Sequence, residues 1–217
     1  TDKTHPMNDL ERYIDQHITP EDPLLTALDR ETHMRVIQPR MISGHLQGKL
    51  LEMLVRMLAP KRILEIGTFT GYSAICMAKG LDKGGELHTI EIDDELEDIA
   101  AKYFREAEVQ MAGRIVQHIG SALDIAPTLG KFDLIFIDGD KREYPQYYRM
   151  VMETAVHSGS YILADNILWY GKVTEPTPAN DRFTEGIKEF NRMVVEDDRV
   201  ENVILPLRDG LNLIRVK

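Results

Sequence analysis

The side chains best suited to chemistry are a group of acids and one amide, each falling at the carboxyl end of a predicted strand: Glu91, Asp138, Asp140, and Asp165 with Asn166. Unpaired carboxylates crowded together repel, so such a group favours a cation. Two Asp and one Asn offer only oxygen, with no His or Cys nearby, which suits a hard divalent ion such as Mg²⁺, with Mn²⁺ or Ca²⁺ as alternatives, and not zinc. Asp140 has a second reading, because Asp140 and Glu143 have the spacing of a capping box; Asp165-Asn166 equally fits turn chemistry. Asp138, at its strand tip, has no such local explanation. Lys141 lies three residues beyond it. A free lysine with a pKa of about 10.4 is a poor base at neutral pH. Beside a dication its ammonium form is disfavoured, which makes it a candidate general base; the plainer alternative is a solvated lysine at a helix start.

Glu91 follows Gly67 by 24 residues. A carboxylate at that point can accept hydrogen bonds from two ribose hydroxyls at once, which fits NAD and S-adenosylmethionine equally well. The stretch Arg62–Ser73 reads as a buried strand, a tight turn with Gly67 and Gly71, and the start of a helix. Its glycines are four apart and do not have the G-x-G-x-x-G spacing of a dinucleotide fingerprint.

The elements that must position these groups alternate. Strands are expected at Arg62–Gly67, Glu86–Ile92, Arg114–Ile119, Phe132–Ile137 and Ser160–Ala164, with helices at Asp94–Gln110 and Lys141–Val156 between them. A loop over Asp165–Asn180 and a helix through Phe183, Ile187, Phe190 and Val194 follow. Val203–Leu207 and Leu211–Val216 flank Arg208-Asp209-Gly210, a hairpin signal. Before the first strand, Ser43 is the expected N-cap of a helix whose stripe is Leu46, Leu50, Met53, Leu54, Met57 and Leu58. From Met7 to about Pro39, two helical stretches are broken at Thr19-Pro20 and Asp22-Pro23; Thr1–Pro6 carries no pattern and is expected to fray. The expectation is a single α/β domain over 1–217: a doubly wound, mostly parallel seven-stranded Rossmann-like sheet with an antiparallel C-terminal strand, under an N-terminal helical cap at 1–40.

At 217 residues the chain is long enough for one well-buried domain. Its 36 acids against 26 bases give a net charge of −10, which argues against a nucleic-acid backbone as partner. One cysteine, Cys76, allows no internal disulfide; it reads as a small buried side chain. No apolar run suggests a membrane span or a signal peptide, and the reading is a soluble cytoplasmic protein.

Glu65-Ile66-Gly67-Thr68-Phe69-Thr70-Gly71-Tyr72-Ser73, Phe136-Ile137-Asp138-Gly139-Asp140-Lys141, Asp165-Asn166-Ile167-Leu168-Trp169 and Arg208-Asp209-Gly210-Leu211 together resemble the cation-dependent O-methyltransferases. These are the caffeoyl-CoA and catechol O-methyltransferase-like members of the class I S-adenosylmethionine-dependent fold. The resemblance runs from about Met41 to the C-terminus. It implies a metal held by Asp138, Asp165 and Asn166, with Asp138 also counted among the cofactor contacts. It puts Glu91 on the cofactor ribose, Gly67 and Ser73 beside the methionine portion with Thr68 in the same turn, and Met41, Ser43, Glu65 and Ala122 along the cofactor. Lys141 matches the proposed base, and Asp140 a residue near substrate. Tyr170 stands where the plant caffeoyl-CoA enzymes have an asparagine, so their substrate does not carry over. Trp169 and Tyr170 would wall an acceptor ring, though Trp169 equally suits packing under its loop.

The activity implied is methyl transfer to a hydroxyl of a small catechol-like vicinal diol, by a homodimer. A hydroxylated uridine of tRNA is a second substrate class, served by a basic patch of Arg35, Arg40, Lys49 and Arg142. A nicotinamide-dependent oxidoreductase is a third reading, and a non-catalytic module of the same fold a fourth.

Overall fold

The computed structural model describes residues 9–217; the expectation for Thr1–Pro6 lies outside them. Seven strands form one sheet in the order β3-β2-β1-β4-β5-β7-β6: β1 (Arg62–Ile66), β2 (Glu86–Glu91), β3 (Arg114–Ile119), β4 (Leu134–Ile137), β5 (Tyr161–Asp165), β6 (Val200–Leu205) and β7 (Leu211–Val216). The first five run parallel, and β7 is antiparallel to both β5 and β6. The central strands are buried on both faces, so they read as unbroken apolar runs. Their period of two still sorts them. Leu64, Ile66, Ile135, Ile137, Ile162 and Ala164 enter one core. Ile63, Leu134, Phe136 and Leu163 enter the other, against helices α3 (His45–Leu58), α4 (Tyr72–Gly80) and α5 (Glu97–Glu108).

The first core is covered by α6 (Ala122–Ile125), α7 (Tyr144–Met150) and α8 (Arg182–Glu196). The helix expected over Lys141–Val156 is three pieces: a 3₁₀ turn at Lys141–Glu143, α7, and a π turn at Val151–Ala155. Two short helices precede α3: α1 (Asp9–His17) and α2 (Pro23–Arg35). The break between them falls at Thr19-Pro20 and Asp22-Pro23 as expected, and Asp22-Pro23 also opens α2: Asp22 Oδ1 accepts from Leu24 N at 2.9 Å, and proline is tolerated in a first turn. α2 docks through Leu25, Leu28 and Thr32, and the Thr32 hydroxyl meets that of Thr70 at 3.0 Å.

Two expectations about α3 are corrected. Gly44 is its N-cap, at φ 76°, and Ser43 makes no capping bond. The buried stripe is Gln47, Gly48, Leu51 and Val55, while Met53 and Met57 are 53% and 77% exposed. The cause is close helix packing. A Cβ on Gly48 would lie 2.6 Å from Cys76 Sγ, and one on Gly80 would lie 2.6 Å from Glu52 O, so α3 and α4 touch through glycines and present less bulk than an apolar count anticipates. Cys76 is buried there, as expected. The hairpin turn is also longer than the expected Arg208-Asp209-Gly210: Leu205 pairs with Leu211, and β6 is Val200–Leu205 instead of Val203–Leu207.

On β2 and β3, His88 and His118 stack, with Nδ1 and Nε2 at 3.0 Å. Arg62 and Glu86 both approach His88 Nε2, at 3.3 and 3.5 Å. Burial lowers the pKa of both histidines. The unfolded chain therefore takes up protons before the folded one, and stability present above about pH 6.5 is lost as the pH falls below it. In chemical denaturation between pH 7.5 and 5, the wild type is expected to lose more stability than His88→Gln; parallel curves would refute the assignment.

Candidate active site

The sheet register brings one end of four strands together. Ile66 of β1 is level with Ile90 of β2 and Ile137 of β4, and Ile137 is level with Ala164 of β5. Gly67, Glu91, Asp138 and Asp165 therefore share one rim, the carboxyl edge where open α/β sheets bind ligands. Gly67, at φ 99°, is required by its neighbour: a Cβ there would lie 2.5 Å from Asp138 O. The first βα turn is thus pressed against the tip of β4.

Asp138 and Asp165 lie on adjacent strands, and the Tyr144 hydroxyl ties the two tips by donating to Ile137 O at 3.0 Å and Asp165 O at 2.9 Å. Lys141 Nζ donates to Asp138 Oδ1 and to the Tyr144 oxygen, each at 2.7 Å. Burial pushes the Asp138 carboxyl up to about 6 against the pull of the Lys141 ammonium, and Asp165 adds to the rise. Asp165 is itself buried, with Oδ1 accepting from Asn166 N at 2.8 Å and Oδ2 from Gln47 Nε2 at 2.5 Å. Asn166 follows at φ 59°, a left-handed conformation that asparagine adopts more readily than most residues. Among the described residues no three His, Cys, Asp or Glu form a metal-holding group; the candidate set is two acids and an amide.

Glu91 accepts from three backbone amides: Phe69 N at 2.7 Å, Ile92 N at 2.9 Å and Asp93 N at 3.0 Å. These bonds order the carboxylate and leave one lone pair, on Oε2, for a further donor. Glu65 is fully buried, and the hydroxyls of Ser73 and Thr89 each donate to it at 2.6 Å. Burial pushes its carboxyl up to about 8, although those hydroxyls draw it back. Both Glu65 oxygens are occupied, so it braces the turn and α4 from beneath. Thr68 extends the network through Thr89, at 2.5 Å. Ser43 and Ala122 are buried, and Met41 is 56% exposed.

Asp140 is the N-cap of the turn at Lys141–Glu143, but the reciprocal half of the expected capping box is missing. Its Oδ1 accepts from Arg142 N at 2.9 Å and the Arg142 guanidinium grips the same carboxylate, while Glu143 turns to the Tyr147 hydroxyl at 2.6 Å. Trp169 stacks on Phe183, with ring centroids 6.1 Å apart, so its face is partly used in packing. Tyr170, 81% exposed, stands beside it.

A family model described as O-methyltransferase matches residues 15–217. The chain belongs to the S-adenosylmethionine-dependent O-methyltransferases. A catechol O-methyltransferase of Niastella koreensis is 33% identical, over 96% of each chain. A caffeoyl-CoA O-methyltransferase of Eucalyptus globulus is 34% identical, over 78% of this methyltransferase and 72% of the plant enzyme. An O-methyltransferase of Streptomyces achromogenes, solved with S-adenosylmethionine, superposes with a TM-score of 0.87 at 32% identity, covering 97% of this chain and 96% of the other.

Three residues beside the candidate site were given no site role from the sequence: Gln47, Tyr144 and Arg208, the last named only within its hairpin and family motif. For Gln47 the signal was its place four and eight residues before Leu51 and Val55, a polar residue on an apolar stripe.

Proposed function

We propose that this methyltransferase transfers a methyl group to one hydroxyl of a small catechol-like vicinal diol, using a divalent cation held by Asp138, Asp165 and Asn166. The observation that carries the reading is the meeting of the β4 and β5 tips, with Lys141 Nζ 2.7 Å from Asp138 Oδ1. The donor set fits a hard cation. Its oxygens come from two carboxylates and an amide, and the Asp138 carboxyl, raised first by burial and then by Asp165, gains from added positive charge. Bound, such a cation would supply the charge that eases loss of a proton from a substrate hydroxyl, and S-adenosylmethionine the methyl group.

The chain's own residues supply the rest. The Tyr144 hydroxyl donates to two backbone carbonyls, so its oxygen must accept from Lys141. Bonds to Asp138 and Tyr144 hold Lys141 Nζ in place at the mouth of the site, as the proposed acceptor of the attacking hydroxyl's proton. Glu91, ordered by three amides, is suited to a ribose hydroxyl. Gly67, Thr68 and Ser73, with Met41, Ser43 and Ala122, complete the proposed cofactor cradle, and Glu65 braces it. Asp140, Trp169 and Tyr170 are proposed to flank the acceptor. Alignment of the two reactants supplies a large share of the acceleration.

A small acceptor is favoured over tRNA by the ion pairs of the basic residues. Arg35 meets Glu31, Lys49 meets Glu52, and Arg142 meets Asp140. The homodimer belongs to the same proposal, with the exposed Met53 and Met57 face of α3 as its candidate contact. So does the cytoplasmic setting, which suits the buried free thiol of Cys76; no helix among the described residues is long and apolar enough to cross a membrane.

Transfer of a labelled methyl group to a catechol panel and to bulk tRNA, with Mg²⁺ and with excess chelator, tests the reading. Product on a catechol that disappears in chelator is expected. Full activity in chelator would remove the cation from the proposal, and label on tRNA alone would replace the substrate class.

A further inference from the structure

We infer that Gln47 is a positioning residue for the cation site: its amide orients the Asp165 carboxylate, and Arg208 sets which way that amide faces. The inference rests on the cation reading above. Gln47 is 1% exposed, on the stripe of α3 that also carries Leu51 and Val55. A buried amide is costly there unless both its ends are hydrogen-bonded. Both are. Nε2 donates to Asp165 Oδ2 at 2.5 Å, and Oε1 accepts from Arg208 Nη1 at 3.2 Å. Arg208 is anchored in turn by donating to Ile42 O at 3.4 Å.

The polarity of this relay follows from the chemistry of its ends. A guanidinium has only donors and an ionised carboxylate only acceptors. With Arg208 on one side and Asp165 on the other, the amide has a single satisfied orientation: oxygen toward Arg208, nitrogen toward Asp165. The flipped amide would set donor against donor and acceptor against acceptor. Asp165 is then gripped by one neutral donor on each oxygen, Gln47 on Oδ2 and Asn166 N on Oδ1. Its plane is fixed while its charge stays available. Asp138 differs, since the ammonium of Lys141 offsets its charge. Three distant segments therefore set one ligand: α3, the end of β5, and the turn between β6 and β7.

Loss of such an outer hydrogen bond to a ligating carboxylate typically weakens metal binding by about 10–100-fold. The test is Mn²⁺ binding to the purified full chain, followed by electron paramagnetic resonance, for the wild type, Gln47→Leu and Arg208→Ala. S-adenosylhomocysteine affinity is measured alongside. Gln47→Leu keeps the volume and removes the donor, so Mn²⁺ affinity should drop by about 10–100-fold with the S-adenosylhomocysteine affinity unchanged. Arg208→Ala, at an exposed position, should weaken Mn²⁺ in the same direction and by less; it decides the matter if Gln47→Leu does not fold. Wild-type Mn²⁺ affinity in both variants, or in Arg208→Ala alone where Gln47→Leu is unfolded, would overturn the inference. A wild type that binds no Mn²⁺ would overturn the cation reading itself, and the inference with it.

Discussion

Asp138→Ala is expected to abolish measurable Mg²⁺ or Mn²⁺ binding and to lower turnover by roughly a thousandfold, corresponding to about 4 kcal/mol of lost charge stabilisation. The side chain has two roles in the proposed site. It is one of the two carboxylates of the proposed cation set, and it is the acidic partner of Lys141. Alanine also leaves the Lys141 ammonium without that partner. Breaking a buried pair costs about 3–5 kcal/mol, and less here because both side chains retain some solvent contact. Asp138→Asn separates the two effects, since it keeps an oxygen facing Lys141 and removes the charge. Both variants should retain the native circular dichroism spectrum and fail in a Mn²⁺ titration. A folded Asp138→Asn that binds Mn²⁺ like the wild type would take Asp138 out of the cation site.

Removing Lys141 should lower kcat by about 10²–10⁴-fold, the usual contribution of a positioned base, with S-adenosylhomocysteine affinity unchanged. Lys141→Met is the variant of choice, because its stem can still lie beside the Tyr144 ring, which Nζ approaches to 4.7 Å from the centroid. Cation affinity supplies a second readout. Deleting an ammonium 2.7 Å from Asp138 Oδ1 leaves that carboxylate uncompensated, so Mn²⁺ should bind more tightly. Equal losses in kcat and cofactor affinity, or weaker Mn²⁺ binding, would reduce Lys141 to a structural partner of Asp138 and Tyr144. Of the two substitutions, only Lys141→Met is predicted to raise cation affinity while turnover falls.

The alternation of strands and helices was legible in the chain because it depends on local signals: period-two burial, turn residues, and strand ends marked by Gly67, Asp138 and Asp165. β3 matches its expected bounds, Arg114–Ile119, and the C-terminal pair is antiparallel about the hairpin signal, with β6 ending two residues earlier than expected. Oxygen-bearing side chains at strand ends then converge by topology alone, since β1, β4 and β5 are neighbours in the sheet. For that reason the candidate metal set and Lys141 could be named from the sequence before any contact was known.

Only the tertiary structure decided which face of α3 is inward and what braces the acids. The apolar count favoured Leu46, Leu50, Met53, Leu54, Met57 and Leu58. Leu50, Leu54 and Leu58 do pack against the core, but Met53 and Met57 are exposed and the helix turns Gln47 and Gly48 inward, because Gly48 and Gly80 let α3 settle close against α4 and because Gln47 has partners to meet. Those partners lie 118 and 161 residues away along the chain. Likewise, Asp140 and Glu143 have the spacing of a capping box, and Asp140 does cap the turn through Arg142 N, but Glu143 is taken by the Tyr147 hydroxyl. A local pattern fixes which groups a segment carries and the strand tip or turn that holds them. The partner that satisfies a buried polar group is set by whichever segment the fold packs against it, and neither segment encodes that choice alone.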